Sequence, residues 1–195
     1  MTRVIADISM SLDGYVTGPD PGPANGLGTG GESLHAWAIG SDDPVDAEIL
    51  RTTTARSGAV VMGRRLFDVV DGPDGWNDEL GYGAAEVGKP PFFVVTHAPP
   101  ASVRLDLDFT FVTAGVAAAV EAARAAAGDR DVMIMGGADV VRQAVESRLA
   151  DELSLHLSPV VLGGGTPLFG PRRAELRLGP AVTSRYATHL RYLVR

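Results

Sequence analysis

Short runs of uninterrupted apolar residues constrain this chain more than any other feature. They are Ala59-Val60-Val61-Met62, Phe92-Phe93-Val94-Val95 and Val132-Met133-Ile134-Met135. A strand with no polar position along it must be covered on both faces, as happens inside a parallel sheet flanked by helices. Residues 42–56, 66–70, 116–127 and 138–149 read as helices. Asp42 or Asp43 caps the first, Pro44 suits its opening turn, and Gly128 stops the third. A strand over 3–9 precedes them and another is expected over 109–112. Alternating runs over 152–158, 175–178 and 188–194, with a short apolar run over 160–162, supply a strand-rich tail. The order of elements predicts an α/β fold, a mostly parallel sheet flanked by helices, with antiparallel C-terminal strands at one edge.

Ligands in such sheets sit at the carboxyl ends of the strands, so the residues found there are the candidates for function. The first apolar run ends in Gly63-Arg64-Arg65, a glycine and two guanidiniums whose planar forks suit phosphate. The second leads to Thr96-His97. The third passes through Gly136-Gly137 into Ala138-Asp139, where two glycines admit close backbone approach and aim a helix N-terminus at an anion. After the first strand comes Ser11-Leu12-Asp13-Gly14, in which Asp13-Gly14 favours a tight reversal. Residues 18–31 hold six glycines and three prolines among fourteen residues, too many for helix or strand. A stretch of that length within one domain reads as a flap over a site. Residues 72–91 are a second loop-rich segment.

Composition narrows the function. The 195 residues suit a single domain spanning 1–195. With no cysteine, thiol nucleophiles, thiolate metal sites and disulfides are excluded, and no metal site is expected. A net charge of −7 has the wrong sign for a nucleic-acid partner. No signal-peptide core and no 18-residue apolar stretch occurs, so no membrane partner and a cytoplasmic location are expected. Sixteen of the seventeen basic residues are arginine, which with the abundant alanine and glycine fits a GC-rich bacterial genome.

Taken in order, these pieces resemble the dihydrofolate-reductase-like superfamily, and more closely the riboflavin-biosynthesis reductase domain with its stand-alone bacterial relatives. The residues carrying the resemblance are Ser11-Leu12-Asp13-Gly14-Tyr15-Val16, Val61-Met62-Gly63-Arg64-Arg65, Val95-Thr96-His97, Met135-Gly136-Gly137 and the run from Asp151 to Gly163. The resemblance implies NADPH as cofactor, held by Gly63, Arg64, Arg65, Thr96, Gly136, Gly137, Ala138 and Asp139. The two glycines would cradle the pyrophosphate, and the arginines with Thr96 would meet the adenine-side phosphates. It implies hydride transfer to a small heterocyclic or ribosyl-pyrimidine substrate, with reduction of 5-amino-6-(5-phosphoribosylamino)uracil as the named candidate.

On the substrate side the resemblance directs attention to Asp46 and Asp13 as catalytic carboxylates. Asp42, Asp43 and Glu48 lie near the same helix start as Asp46. Ser11, Gly14, His35, Trp37 and His156 are the expected substrate contacts. His156 shares a strand face with Ser154 and Ser158, opposite Leu153, Leu155 and Leu157. No Pro-Trp step follows the first strand, which weakens folate as substrate. No His-x-Glu followed by Pro-Cys-x-x-Cys occurs, so reduction without deamination is expected. The alternative is a non-catalytic NADP-binding module of the same fold. Relatives of this type also imply a homodimer, for which the run 188–194 offers an edge.

Overall fold

A computed structural model describes residues 2–22, 25–73, 75–77, 81 and 89–195. Eight strands form one sheet: β1 (Val4–Met10), β2 (Ser57–Gly63), β3 (Phe92–Val95), β4 (Phe109–Val112), β5 (Asp131–Ile134), β6 (Glu152–Leu157), β7 (Leu176–Thr183) and β8 (Thr188–Val194). Their order across the sheet is β4-β3-β2-β5-β1-β6-β8-β7. Every pairing from β4 to β6 is parallel, and β8 pairs antiparallel with both β6 and β7. The expected α/β class and the antiparallel C-terminal strands are therefore what the chain adopts.

Four α-helices cover the two faces. On one face α3 (Val116–Ala127) and α4 (Ala138–Glu146) pack on Val4, Ala6, Ala59, Val61, Val132 and Ile134. The alternate residues of β2, Val60 and Met62, point the other way and meet Phe67 and Val70 of α2 (Arg64–Val70). The apolar runs are continuous because both of their faces meet a helix. The remaining helix, α1 (Pro44–Arg56), is capped by Asp43, whose carboxylate accepts from the Val45 N–H at 2.9 Å. It lies over the face of β1, β6 and β8 that carries Asp7, His156 and His189.

Several local expectations are corrected. Residues 160–162 form no strand, because their backbone is drawn to the turn after β1: Leu12 N–H donates to Val160 O at 2.8 Å and Asp13 takes the Leu162 N–H. The tail thus holds three strands. The run 188–194 is no edge; β8 is paired on both sides and β7 is the outer strand. Helix α4 stops at Glu146, and Arg148 adopts a positive φ of 56° just beyond. Helix α2 begins at Arg64, so both arginines lie within its first turn. Of the second loop-rich segment, residues 74, 78–80 and 82–88 lie outside the described residues, as do 23–24 of the flap.

Leu153, fully buried between β1 and β8, tests this packing. Leu153→Ala should lower unfolding free energy by about 2–5 kcal/mol in urea denaturation, whereas Val161→Ala at an exposed position after β6 should change it by less than about 0.5 kcal/mol. Equal losses at the two positions would contradict the layer assignment.

Candidate functional site

The carboxyl ends of the parallel strands line up as expected, and they carry two adjoining groups of residues. The first group runs from β3 to β5. Gly63 closes β2, and its N–H donates to Gly136 O at 3.3 Å. Gly136 and Gly137 have φ of 140° and 81°, values that L side chains rarely adopt. A Cβ on Gly136 would lie 3.1 Å from Leu66, and one on Gly137 would lie 3.4 Å from the Gly63 backbone. The glycines therefore serve a close crossing of the two turns. Gly137 is the N-cap of α4, and no side chain caps that helix start. Its first N–H groups carry the positive end of the helix dipole, an arrangement that accepts an anion. Asp139 does not compete for them; its carboxylate pairs with Arg142 and accepts from Gln143 Nε2 at 2.6 Å.

Beyond Gly63, the Arg64 guanidinium is held in place. Its Nη1 donates to Ala98 O at 2.7 Å and to Thr96 Oγ1 at 3.3 Å, and its Nε donates to Asp68 Oδ1 at 2.7 Å. The expected meeting of Arg64 with Thr96 is thus present, across the β2–β3 step. Arg65 is exposed on the same first turn. These residues fit a dinucleotide: an uncapped helix start stands where a pyrophosphate would sit, and a fixed guanidinium with a hydroxyl lies about two strand spacings, roughly 10 Å, further along.

The second group lies on the opposite side of β5, on the α1 face of β1, β6 and β8. Registers decide its membership. Ser9 pairs with His156 and His156 with His189, so the three stand side by side across the sheet. His156 Nδ1 and His189 Nδ1 are 2.7 Å apart. His156 Nε2 lies 3.2 Å from Asp7 Oδ1, and His189 Nε2 lies 2.8 Å from Asp46 Oδ1. The other Asp46 oxygen accepts from Ser41 Oγ at 2.6 Å. Trp37 lies over His156 with ring centroids 3.9 Å apart and donates Nε1–H to Ser9 Oγ at 2.9 Å. Three of the four histidines of the chain gather here, because His35 stands in the short 3₁₀ turn Gly31–His35 and its buried Nδ1 has no partner.

The continuation of the flap through residues 31–37 is what covers this group. Ser158 Oγ donates to Leu34 O at 2.8 Å, and Leu34 and Trp37 are buried. At the far end, Arg185 N–H donates to Asp43 Oδ2 at 2.9 Å and Tyr186 Oη to Asp42 Oδ1 at 3.0 Å. Those bonds fix the β7–β8 turn on the start of α1, which sets His189 over Asp46. Beside Asp7 a shallow indentation with room for about one water lies between Arg56, Glu152, Ser154 and Arg191.

The structure therefore brings together Asp46, His35, Trp37 and His156 from the expected set. It does not bring Ser11, Asp13 and Gly14 among them. Ser11 is buried and its Oγ accepts from the Tyr15 N–H, while Gly14 O accepts from Leu168. Asp13 accepts from the N–H groups of Leu162 and Gly163 at 3.1 and 2.7 Å. Hydrogen bonds from Ser11 and those two amides hold its carboxyl below the usual carboxylate range. Sequence reasoning missed Asp7, Ser9, Ser41 and His189. The signal for Asp7 and Ser9 was present, two polar residues alternating with Val4, Ala6 and Ile8.

Strand order, the glycine crossing at the strand ends and the covered polar face define a protein of the dihydrofolate-reductase-like fold. The chain belongs to the RibD C-terminal domain family, which it matches over residues 2–191. It is 24% identical over 173 residues to an uncharacterised protein of Bacillus subtilis, covering 86% of this chain and 80% of that one. Among solved structures it is similar to a riboflavin biosynthesis protein candidate from Shewanella sp. PV-4 (TM-score 0.72, 22% identity, 100% and 99% of the two chains). It is also similar to a pyrimidine reductase-like protein from Corynebacterium diphtheriae (TM-score 0.62, 18% identity, 100% and 92%). A third is a deaminase/5-amino-6-(5-phosphoribosylamino)uracil reductase from Thermotoga maritima (TM-score 0.62, 11% identity), of which this chain covers 57%. No helix among the described residues is long and apolar enough to cross a membrane.

Burial holds His35 below the ordinary imidazole range, helped by the charge of His156, and the same two causes act on His189 against the pull of Asp46. His35 therefore binds more protons unfolded than folded, so its stabilisation is complete above about pH 6.5 and is lost as pH falls through the lowered value. Urea midpoints should therefore drop between about pH 6.5 and 5, and His35→Gln should shrink the drop. A midpoint that rises over that interval would contradict the placement of these imidazoles.

Proposed function

We propose that this chain is an NADPH-dependent reductase acting on a small heterocyclic or ribosyl-pyrimidine substrate, with 5-amino-6-(5-phosphoribosylamino)uracil as the first candidate. The observation that carries the reading is the adjacency of the two groups at one end of the sheet. A cradle suited to a dinucleotide spans β3, β2 and β5, and a covered polar cluster continues from it over β1, β6 and β8. The names of the Corynebacterium and Thermotoga proteins, both of which include a pyrimidine or uracil reductase, support the substrate class.

When bound, NADPH supplies a hydride; everything else falls to the chain. Gly136, Gly137 and the first amides of α4 would hold the pyrophosphate, and Arg64 with Thr96 the 2′-phosphate. Trp37 and Leu34 exclude water, which strengthens every electrostatic contact beneath them. Asp7 is 20% exposed and Asp46 fully buried, so of the two carboxylates Asp7 is the one a substrate can meet. We also propose a homodimer. Of the two outer strands, β4 and β7, the longer one, β7, would form it through exposed Leu178 and Val182, and a monomeric mass in light scattering at micromolar concentration would contradict it.

Cofactor choice is the direct test. A 2′-phosphate carries close to two negative charges, and a charge-assisted hydrogen bond contributes about 1.5–3 kcal/mol, or roughly ten- to a hundredfold in affinity. Titration calorimetry should show NADPH binding at least about tenfold more tightly than NADH, and Arg64→Ala should erase most of that preference with an unchanged circular dichroism spectrum. Equal dissociation constants in the unmutated protein would falsify the assignment of Arg64. NADPH binding without oxidation across pteridines, pyrimidines and quinones would favour the non-catalytic module instead.

A further inference from the structure

We propose that Asp7, His156, His189 and Asp46 form one proton-holding unit, in which two imidazoles share three N–H protons between two carboxylates, and that Asp7, its partly exposed carboxylate, is the end through which a proton leaves to a substrate. The second half of this statement rests on the reductase reading; the first half does not.

The count of protons follows from the contacts. At 2.7 Å the two Nδ1 atoms cannot both present lone pairs, nor can both carry hydrogen, so one N–H lies between them. Each Nε2 faces a carboxylate, which when ionised only accepts, so each Nε2 carries a hydrogen as well. Three protons on four nitrogens are one more than two neutral imidazoles hold. The pair therefore carries one positive charge, shared by shifting a single hydrogen between the Nδ1 atoms, and its protons belong to the unit rather than to either ring.

The surroundings suit that charge and no larger one. Two carboxylates flank it, Asp7 from β1 and Asp46 from α1, and Ser41 Oγ–H satisfies the outer oxygen of Asp46. The electron-rich face of Trp37 covers His156, with the edge of the same ring toward His189 at 5.2 Å. From the flap His35 faces the unit in its neutral form, since burial disfavours its charge. At the α1 start, Asp43 acts on His189 from the surface, where Arg185 binds that carboxylate. A fourth proton would set two N–H groups against each other, in keeping with the lowered value at His189.

The ends of the unit differ. The Asp46 side chain is wholly enclosed, whereas that of Asp7 is 20% exposed beside Arg56, Ser154 and Arg191. Hydride reduction of a C=O or C=N bond breaks the π bond and leaves its electron pair on the heteroatom, which then takes one proton. The unit gives up that proton through His156 Nε2 and Asp7, and water restores it after the product leaves.

The test needs neither cofactor nor substrate. In the full chain labelled with ¹⁵N-histidine, ring-nitrogen shifts at pH 7 should show three protonated nitrogens on His156 and His189 together. A ¹⁵N–¹⁵N coupling across the Nδ1 pair should accompany them. Asp7→Asn, at a partly exposed position, should reduce the count from three to two, and Asp7→Glu should restore three. Two protonated nitrogens in the unmutated protein would overturn the unit, and three retained in Asp7→Asn would overturn Asp7 as its outlet. Because NADPH binding and oxidation are measured separately, a chain that reduces nothing would refute the reductase reading while leaving this count to stand or fall by itself.

Discussion

Two carboxylates and two imidazoles buried in a sheet can persist only by satisfying one another, and much of the chain is arranged around that requirement. An isolated ion taken out of water costs several kcal/mol even after the protein relaxes, so the cluster must close completely or not form. Closing it takes β1 for Asp7, β6 and β8 for the histidines, α1 for Asp46 and the flap for Trp37. Each of those elements is fixed by bonds beyond the cluster: Ser158 to Leu34, Arg185 and Tyr186 to Asp43 and Asp42, and the antiparallel ladder between β6 and β8. The polar half of the molecule is therefore as tightly specified as the apolar half, by hydrogen bonding where the other uses packing.

Across β5 the physics changes. There the binding groups are backbone amides and a guanidinium, and their geometry depends on glycines that let the β2 and β5 turns cross at van der Waals distance. The two halves meet where β5 lies beside β1, which places a dinucleotide cradle next to a water-excluding polar cluster. A reductase needs that adjacency, because one side must hold a hydride donor and the other must hold the acceptor and provide a proton. The Trp37–His156 stack closes the polar cluster on the side away from α1's carboxylate.

Much of this was legible in the sequence, for identifiable reasons. Unbroken apolar runs gave away strands covered on both faces, and the glycines after them marked the strand ends where ligands collect. His156 stood out through alternation with leucines, and Asp46 through its place near the start of α1. Asp7 and His189 did not stand out, although each alternates with apolar neighbours just as His156 does. Their importance comes from pairing β1 with β6 and β6 with β8, contacts between residues 149 and 33 positions apart. Alternation tells which face a residue takes, but not which other residues share that face. Asp13 misled in the opposite way: a carboxylate after the first strand reads as chemistry, and its oxygens instead hold the backbone of Leu162 and Gly163. The run 188–194 likewise has the pattern of an edge strand, and only the position of β7 outside it shows that it is interior.

The central claim is that the strand ends from β3 to β8 form one continuous site, with the cofactor on one side of β5 and the polar unit on the other. A crystal structure of the protein soaked with NADP⁺ tests it most directly. The account predicts the 2′-phosphate within hydrogen-bond reach of Arg64 and Thr96, the pyrophosphate on the amides following Gly136 and Gly137, and the nicotinamide ring directed toward β1. A nucleotide bound with its pyrophosphate away from those two glycines, or with its nicotinamide directed toward β4, would contradict it.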